Sequence, residues 1–344
     1  MPRFFIERLT QTGEVVYDPF MGRGTTVLEA ALMGRVPWGN DLNPLSICLV
    51  KPRLNPPTLN LVCERLAKID FGQKKEIGPE ELLVFYHPAT LRQICALKAD
   101  LGRRKSEQAV DSIDNWIEMV ALNRLTGHSP GFFSVYTLPP NQAVTVKRQR
   151  HINKERGQVP PFRDVPQLIL KKTKALLAAC DRSARDGLAE GAGRTMLLTK
   201  PASNTPEISD GSVSLVVTSP PFLDVVDYAT DNWLRCWFLG IDASAVKFTV
   251  PNKPGDWQRA MTEVFQELYR IVRPGGHIAF EVGEVRHGSI RLEELAIPCG
   301  ANAGLKPVLV LINQQEFTKT ANCWGVDNNV KGTNTNRIAL FQKT

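Results

Sequence analysis

Apolar positions recur at two different periods along this chain, and the change from one to the other divides it. Val15–Asp18 and Val36–Asn40 are short apolar runs of strand length. Between them, Val27, Leu28, Ala31 and Leu32 mark one face of a helix that starts at Thr25 and stops near Gly34. Ahead of the first strand, Phe5, Ile6 and Leu9 fall at helical spacing before Gly13, which predicts a short leading helix. From 51 to 190 every periodic stretch is helical: Leu59, Val62, Leu66 and Ile69, then Leu91, Ile94, Cys95 and Leu97, then Ile113, Trp116, Ile117 and Val120. Strand-like runs return at Met196–Leu198, Val213–Thr218, 277 to 282, 307 to 312 and 337 to 342. A turn at Arg273-Pro274-Gly275-Gly276 precedes the fifth run, and a helix over 257 to 272 carries Met261, Val264, Phe265, Leu268 and Ile271.

Seven strands separated by helices predict an α/β fold with one doubly wound sheet, formed by residues 1–50 and 191–344. Residues 51–190 then form a mainly helical insertion, with prolines at 52, 56, 57, 160, 161 and 166 punctuating its margins. The 344 residues are 43% hydrophobic, enough for a substantial core. No run of about eighteen apolar residues and no charged-then-apolar leader is present, so neither membrane insertion nor secretion is expected. The seven cysteines are scattered and never form a CxxC pair, and the five histidines show no ligand spacing. The expectation is therefore no disulfide framework and no metal, with the thiols as small buried residues of a reducing compartment.

Two strings carry candidate chemistry. VYDPFMGRGTT, 16 to 26, reads as a buried strand ending in an acidic residue and followed by a glycine-punctuated turn into a helix, a form that lets backbone approach a nucleotide-like ligand. It is not a phosphate loop of the GxxxxGK type, because Thr25 and Thr26 follow Gly24. VVTSPPF, 216 to 222, reads as a strand ending in a loop stiffened by two prolines; alone, such a string is usually just a turn. If both strands lie in one sheet, their carboxyl ends open onto the same crevice. At the end of the second strand, Asp41 is placed to accept hydrogen bonds from ribose hydroxyls.

DPFMGRGTT and TSPPF resemble the cofactor-binding and catalytic motifs of S-adenosylmethionine-dependent DNA amino-methyltransferases, and the serine form resembles the N4-cytosine type. The resemblance covers roughly 2 to 50 and 191 to 344. It implies a Rossmann-like methyltransferase sheet and S-adenosyl-L-methionine as cofactor. The implied cofactor residues are Phe5, Asp18, Pro19, Phe20, Gly22, Gly24, Thr25, Thr26, Asp41 and Thr218, and the implied catalytic residues are Ser219, Pro220, Pro221 and Phe222. The implied reaction is site-specific methylation of the cytosine N4 amine in duplex DNA, after the base has been rotated out of the helix to stack on Phe222. An N6-adenine enzyme and a catalytically silent DNA-binding relative are the alternatives. The third strand departs from the family pattern, because Leu198-Thr199-Lys200-Pro201 stands where an acidic residue near the adenine ring is usual.

Charge placement bears on the partner. Between 147 and 174 nine basic residues face only Glu155 and Asp164, an excess equal to the +7 net charge of the whole chain. Such a patch suits a polyphosphate backbone, although basic runs are also common on solvated helix faces. Within 128 to 158, Asn141, Gln142, Lys147, Arg148, Arg150, His151, Lys154 and Arg156 are the candidate double-stranded DNA contacts, with Lys171, Lys172 and Lys174 as backbone contacts. A cognate restriction nuclease is a candidate partner. The cytoplasm of a prokaryotic or phage-infected cell is the expected location.

Overall fold

The computed structural model describes residues 1–72, 78–137, 144–221, 228–242, 253–285, 290–314 and 335–344. They fall into two compact units: Met1–Leu54, Asp186–Val226 and Phe248–Thr344 form the first, Asn55–Arg185 and Asp227–Lys247 the second.

In chain order the first unit opens with α1 (Pro2–Leu9), β1 (Val15–Asp18), α2 (Thr25–Leu32), β2 (Val36–Asn40) and α3 (Pro44–Leu54). The helical unit follows with α4 (Leu59–Ala67), α5 (Pro88–Ser106), α6 (Ser112–Leu122), α7 (Val146–Glu155) and α8 (Val165–Leu177). After α9 (Arg182–Ala192) come β3 (Met196–Leu198) and β4 (Val213–Thr218). Next is α10 (Tyr228–Leu239), which belongs to the helical unit although it follows β4 in sequence. The first unit is completed by α11 (Pro254–Ile271), β5 (Val272–Val282), the short β6 (Glu284–Val285) and β7 (Ile290–Arg291), α12 (Leu292–Asn302), β8 (Lys306–Gln314) and β9 (Thr335–Gln342).

Seven strands form one sheet in the order β3-β2-β1-β4-β5-β9-β8. The pairs from β3 to β5 are parallel, and β9 runs antiparallel to both of its neighbours. This is a Rossmann-like, doubly wound α/β sheet whose last strand is antiparallel. Strand order reverses between β1 and β4, so the crevice expected of such a sheet opens at their carboxyl ends. Successive residues of the central strands enter different cores. Tyr17 and Val216 join Trp257, Phe265, Phe280 and Phe341 on one side, whereas Val16, Leu215 and Val217 join Phe5, Ile6 and Ala30 on the other. Burial on both faces explains why these strands read as unbroken apolar runs rather than alternating ones.

Two local features differ from the sequence reading. The expected turn at 273 to 276 is a bulge inside β5: Val272 and His277 both pair with β4, and the register shifts between them. The β6–β7 pair left no apolar run long enough to be noticed. Of the cysteines, Cys236 and Cys299 are buried, Cys48, Cys95 and Cys180 are half-buried, and Cys63 is exposed, so the expectation of buried thiols holds only in part. Cys323 lies outside the described residues. No helix among them is long and apolar enough to cross a membrane.

In the helical unit, α4 is capped by the Thr58 side chain, and α6 by an Asp111–Asp114 capping box. Arg65 on α4 bonds both of those carboxylates, 2.6 Å from Asp111. The α6–α8 contact carries a buried hydrogen bond from Trp116 Nε1 to Thr173 Oγ1 (3.1 Å).

Gly24 combines a left-handed backbone with a close approach. Its φ is +75°, and a Cβ there would lie 2.5 Å from Val50 Cγ2 on α3. Gly13 shares the left-handed backbone (φ +84°) but has nothing within 4 Å. Gly24→Ala is therefore expected to cost about 1 kcal/mol of backbone strain plus 1–3 kcal/mol of overpacking, and Gly13→Ala the strain alone. Thermal unfolding of the two variants checks this, with the larger fall in Tm for Gly24→Ala.

Candidate functional site

Asp18 ends β1 and is 5% exposed. Thr218 ends the adjacent β4 and is 1% exposed, and its Oγ1 donates to Asp18 Oδ1 at 2.6 Å. The same carboxylate oxygen accepts from the Phe20 backbone N–H (3.1 Å). One turn into α2, the buried Thr26 hydroxyl donates to the Val217 carbonyl at 3.1 Å. Two hydrogen bonds thus fasten the glycine-rich turn to the strand that leads into Ser219.

Burial pushes the Asp18 carboxyl up to about 6, while the hydrogen bonds from Thr218, Phe20 and Thr26 favour its charged form. Asp41 is also raised by burial, against hydrogen bonds from the backbone of Asn43 and Gly22 and from the Ser46 side chain. Its Oδ2 accepts from Gly22 N and its Oδ1 from Asn43 N, both at 2.8 Å. Asp41 therefore spans the glycine turn and the start of α3. These three bonds use three of the carboxylate's four lone-pair positions and leave one for a further donor.

Three residues that the sequence reading passed over complete the frame. Asn40, fully buried, donates Nδ2–H to the carbonyls of Pro19 (3.2 Å) and Lys200 (2.9 Å), and its Oδ1 accepts from Lys200 N (3.0 Å). It locks the ends of β1, β2 and β3 together. Arg53 donates to the Leu49 carbonyl (2.7 Å) and to the Arg23 carbonyl, so the last turn of α3 grips the glycine turn. Burial and the neighbouring Arg23 charge lower the Arg53 pKa to about 10. Trp257 on α11, fully buried, donates Nε1–H to the Pro221 carbonyl at 3.0 Å and so pins the Ser-Pro-Pro loop. Its place in the helical period announced burial, but nothing in the pattern announced the bond.

The other expected site residues are distributed as follows. Ser219 is exposed immediately beyond β4 and makes no hydrogen bond among the described residues; Pro220 is buried and Pro221 half-buried. Phe222 lies outside the described residues. Pro19 is buried, Phe20 half-buried and packed against the core, and Thr25 exposed. Gly22 adopts φ +47°. Phe5 is packed in the core with Ile6, Val16 and Ala30. At the end of β3, Lys200 pairs with Glu207 (3.0 Å), and Ser203 is half-buried.

In the helical unit, Lys147, Arg148, Arg150, His151, Lys154 and Arg156 are all exposed, with Gln149 and Ile152 forming the buried face of α7. His151 stands 3.0 Å from Glu155. Asn141 and Gln142 lie outside the described residues. Trp237 is half-buried, 5.7 Å from Lys98 Nζ, and Phe238 is buried. No cluster of metal-ligating side chains is found among the described residues.

Residues 1–48 match the DNA methylase family. That segment holds α1, β1, the glycine turn, α2, β2 and Asp41. A Type II methyltransferase, M.MvaI of Kocuria varians, is 29% identical over 72 residues, and that stretch is 21% of this chain and 14% of the relative's length. Among solved structures, a TehB-like S-adenosylmethionine-dependent methyltransferase from Corynebacterium glutamicum aligns over 100% of this chain and 87% of its own, at 8% identity and a TM-score of 0.36. A proposed DNA modification methylase from Thermus thermophilus, solved with S-adenosyl-L-methionine, aligns over 42% and 53% at 21% identity, with a TM-score of 0.26.

The raised Asp18 pKa has a defined sign. Stability from the protonated form is fully present below the ordinary value of 3.8 and is lost as pH rises through about 6. Relative to Asp18→Asn, the wild-type chain is expected to lose about 2 kcal/mol between pH 4 and pH 6.5 and to change little above that. Denaturant unfolding of both proteins across this range is the check.

Proposed function

We propose that the chain is an S-adenosylmethionine-dependent DNA methyltransferase acting on the exocyclic N4 amine of cytosine. The observation that carries this reading is the Thr218–Asp18 hydrogen bond of 2.6 Å, which brings the DPF-GRG turn and the Ser-Pro-Pro loop to one end of adjacent strands. The match of residues 1–48 to DNA methylases supports the substrate class.

The residues suit the cofactor. Gly22 and Gly24 hold a positive-φ turn through which backbone can pass close to a ligand, and Asp41 keeps a lone pair for a ribose hydroxyl. S-adenosylmethionine supplies the electrophilic methyl group when bound. The cytosine amine is a poor nucleophile because its lone pair is delocalised into the ring, so the protein must draw that pair out toward the methyl group. The Ser219 hydroxyl and the Pro220 carbonyl accept hydrogen bonds from the amine and favour a pyramidal nitrogen. Because Trp257 holds the loop by the Pro221 carbonyl, these acceptors are set before the reaction begins. Phe222 stacks on the displaced base. Asp18 shapes the turn and needs to transfer no proton. The exposed basic face of α7 holds duplex DNA.

The test is incubation with duplex DNA and labelled S-adenosylmethionine, followed by digestion to nucleosides. Labelled N4-methyl-2′-deoxycytidine is expected, with a fall of about tenfold or more for Ser219→Ala. Labelled N6-methyladenine would transfer the reading to the adenine class, and an alanine variant as fast as the parent would remove the proposed role of the hydroxyl. Trp257→Phe keeps the aromatic bulk but loses the bond to Pro221. It is expected to lower kcat about tenfold while leaving the KM for S-adenosylmethionine nearly unchanged, as steady-state kinetics would report.

A further inference from the structure

Arg124 and Lys172 are two half-buried cations of the helical unit for which no carboxylate partner is found among the described residues. Arg124 follows the last turn of α6, half-buried, with its guanidinium carbon 4.1 Å from the centre of the Phe132 ring. Phe132 is itself buried and lies so close over Gly127 that a Cβ there would collide with the ring. The ring is therefore a fixed platform, and the loop from 127 to 132 sets the plane of the guanidinium. Arg124 Nε is buried without a hydrogen-bond partner, and no carboxylate pairs with the side chain among the described residues. Lys172 on α8 is half-buried next to Thr173, which anchors α8 to α6 through Trp116. It too has no carboxylate partner among the described residues. It lies near enough to feel the Arg124 charge, which together with burial lowers its pKa, and burial lowers that of Arg124. Two partly desolvated like charges near one another cost stability unless an anion offsets them.

The arrangement differs from that of three other cations of this unit. Arg65, Arg104 and Lys105 each reach an acidic partner on α6. A second cation lies on a ring at the far end of the same segment, where the exposed Arg156 sits 3.9 Å from the centre of Tyr136. Gln149 and Gln158 hold the Tyr136 carbonyl there, at 3.0 Å each. Exposed Lys171 and Lys174 continue the positive surface along α8.

We propose that Arg124 and Lys172 form a clamp for one phosphodiester group of a bound DNA strand, with Phe132 as the platform that presents the guanidinium. This rests on the DNA-methylation reading and extends it to residues outside the basic run of α7. A planar guanidinium held on an aromatic face offers paired N–H donors to phosphate oxygens with little loss of side-chain freedom, and the adjacent ammonium adds a point charge. Bound phosphate turns the mutual repulsion of the two cations into attraction.

The experiment is fluorescence anisotropy of the full chain with a 20-base-pair duplex at several salt concentrations, on the parent, Lys172→Gln and Arg124→Gln. Each lost phosphate contact is expected to make the slope of log K against log salt shallower by about 0.9. Affinity for S-adenosylhomocysteine, measured by calorimetry on the same samples, is expected to stay unchanged. Lys172→Gln changes a side chain at the surface and keeps the test valid if Arg124→Gln unfolds. Parent-like slopes in Lys172→Gln would overturn the clamp and leave the methylation reading standing. A parent that binds no duplex would overturn both.

Discussion

A carboxylate buried at the end of a strand must find donors, and at Asp18 that requirement organises the first unit. Its Oδ1 takes the Thr218 hydroxyl from the neighbouring strand and the Phe20 amide from its own loop. The pairing is only available if β4 lies directly beside β1, which is where the strand order reverses. Satisfying one buried charge therefore draws together a turn near residue 20 and a loop near residue 220, and creates a crevice bordered by both.

The surrounding contacts make that crevice rigid rather than merely present. Asn40 joins three strand ends, Asp41 holds the glycine turn from the side of β2, Arg53 holds it from α3, and Trp257 holds the proline loop from α11. Each bond fixes a backbone group, so the cost of ordering the loops is met by folding and not during turnover. Ser219 is exposed beyond β4, with its hydroxyl uncommitted among the described residues.

Much of the fold was legible in the sequence because parallel strands buried on both faces leave continuous apolar runs. The seven strands fall where those runs predict, and α2 and α11 where the helical periods do. The bulge in β5 was read as a turn because Pro274, Gly275 and Gly276 are turn formers, and only pairing with β4 on both sides reveals a strand. At the site, the paired motifs named Asp18, Asp41 and Ser219, and the structure puts the first two around the glycine turn and the third just beyond the adjacent strand. Periodicity reports burial and not hydrogen-bond partners, so Asn40 and Trp257 looked like ordinary sheet and helix positions. Arg124 stood outside every charge run, and its significance comes from the ring beneath it.

The most direct measurement is a double-mutant cycle on S-adenosylhomocysteine affinity with Asp18→Asn, Thr218→Val and the double variant, followed by calorimetry. If the bond between the two strand ends builds one crevice, the substitutions will be coupled by about 1 kcal/mol or more. Effects that add within about 0.3 kcal/mol, or a wild-type chain that does not bind S-adenosylhomocysteine, would contradict it.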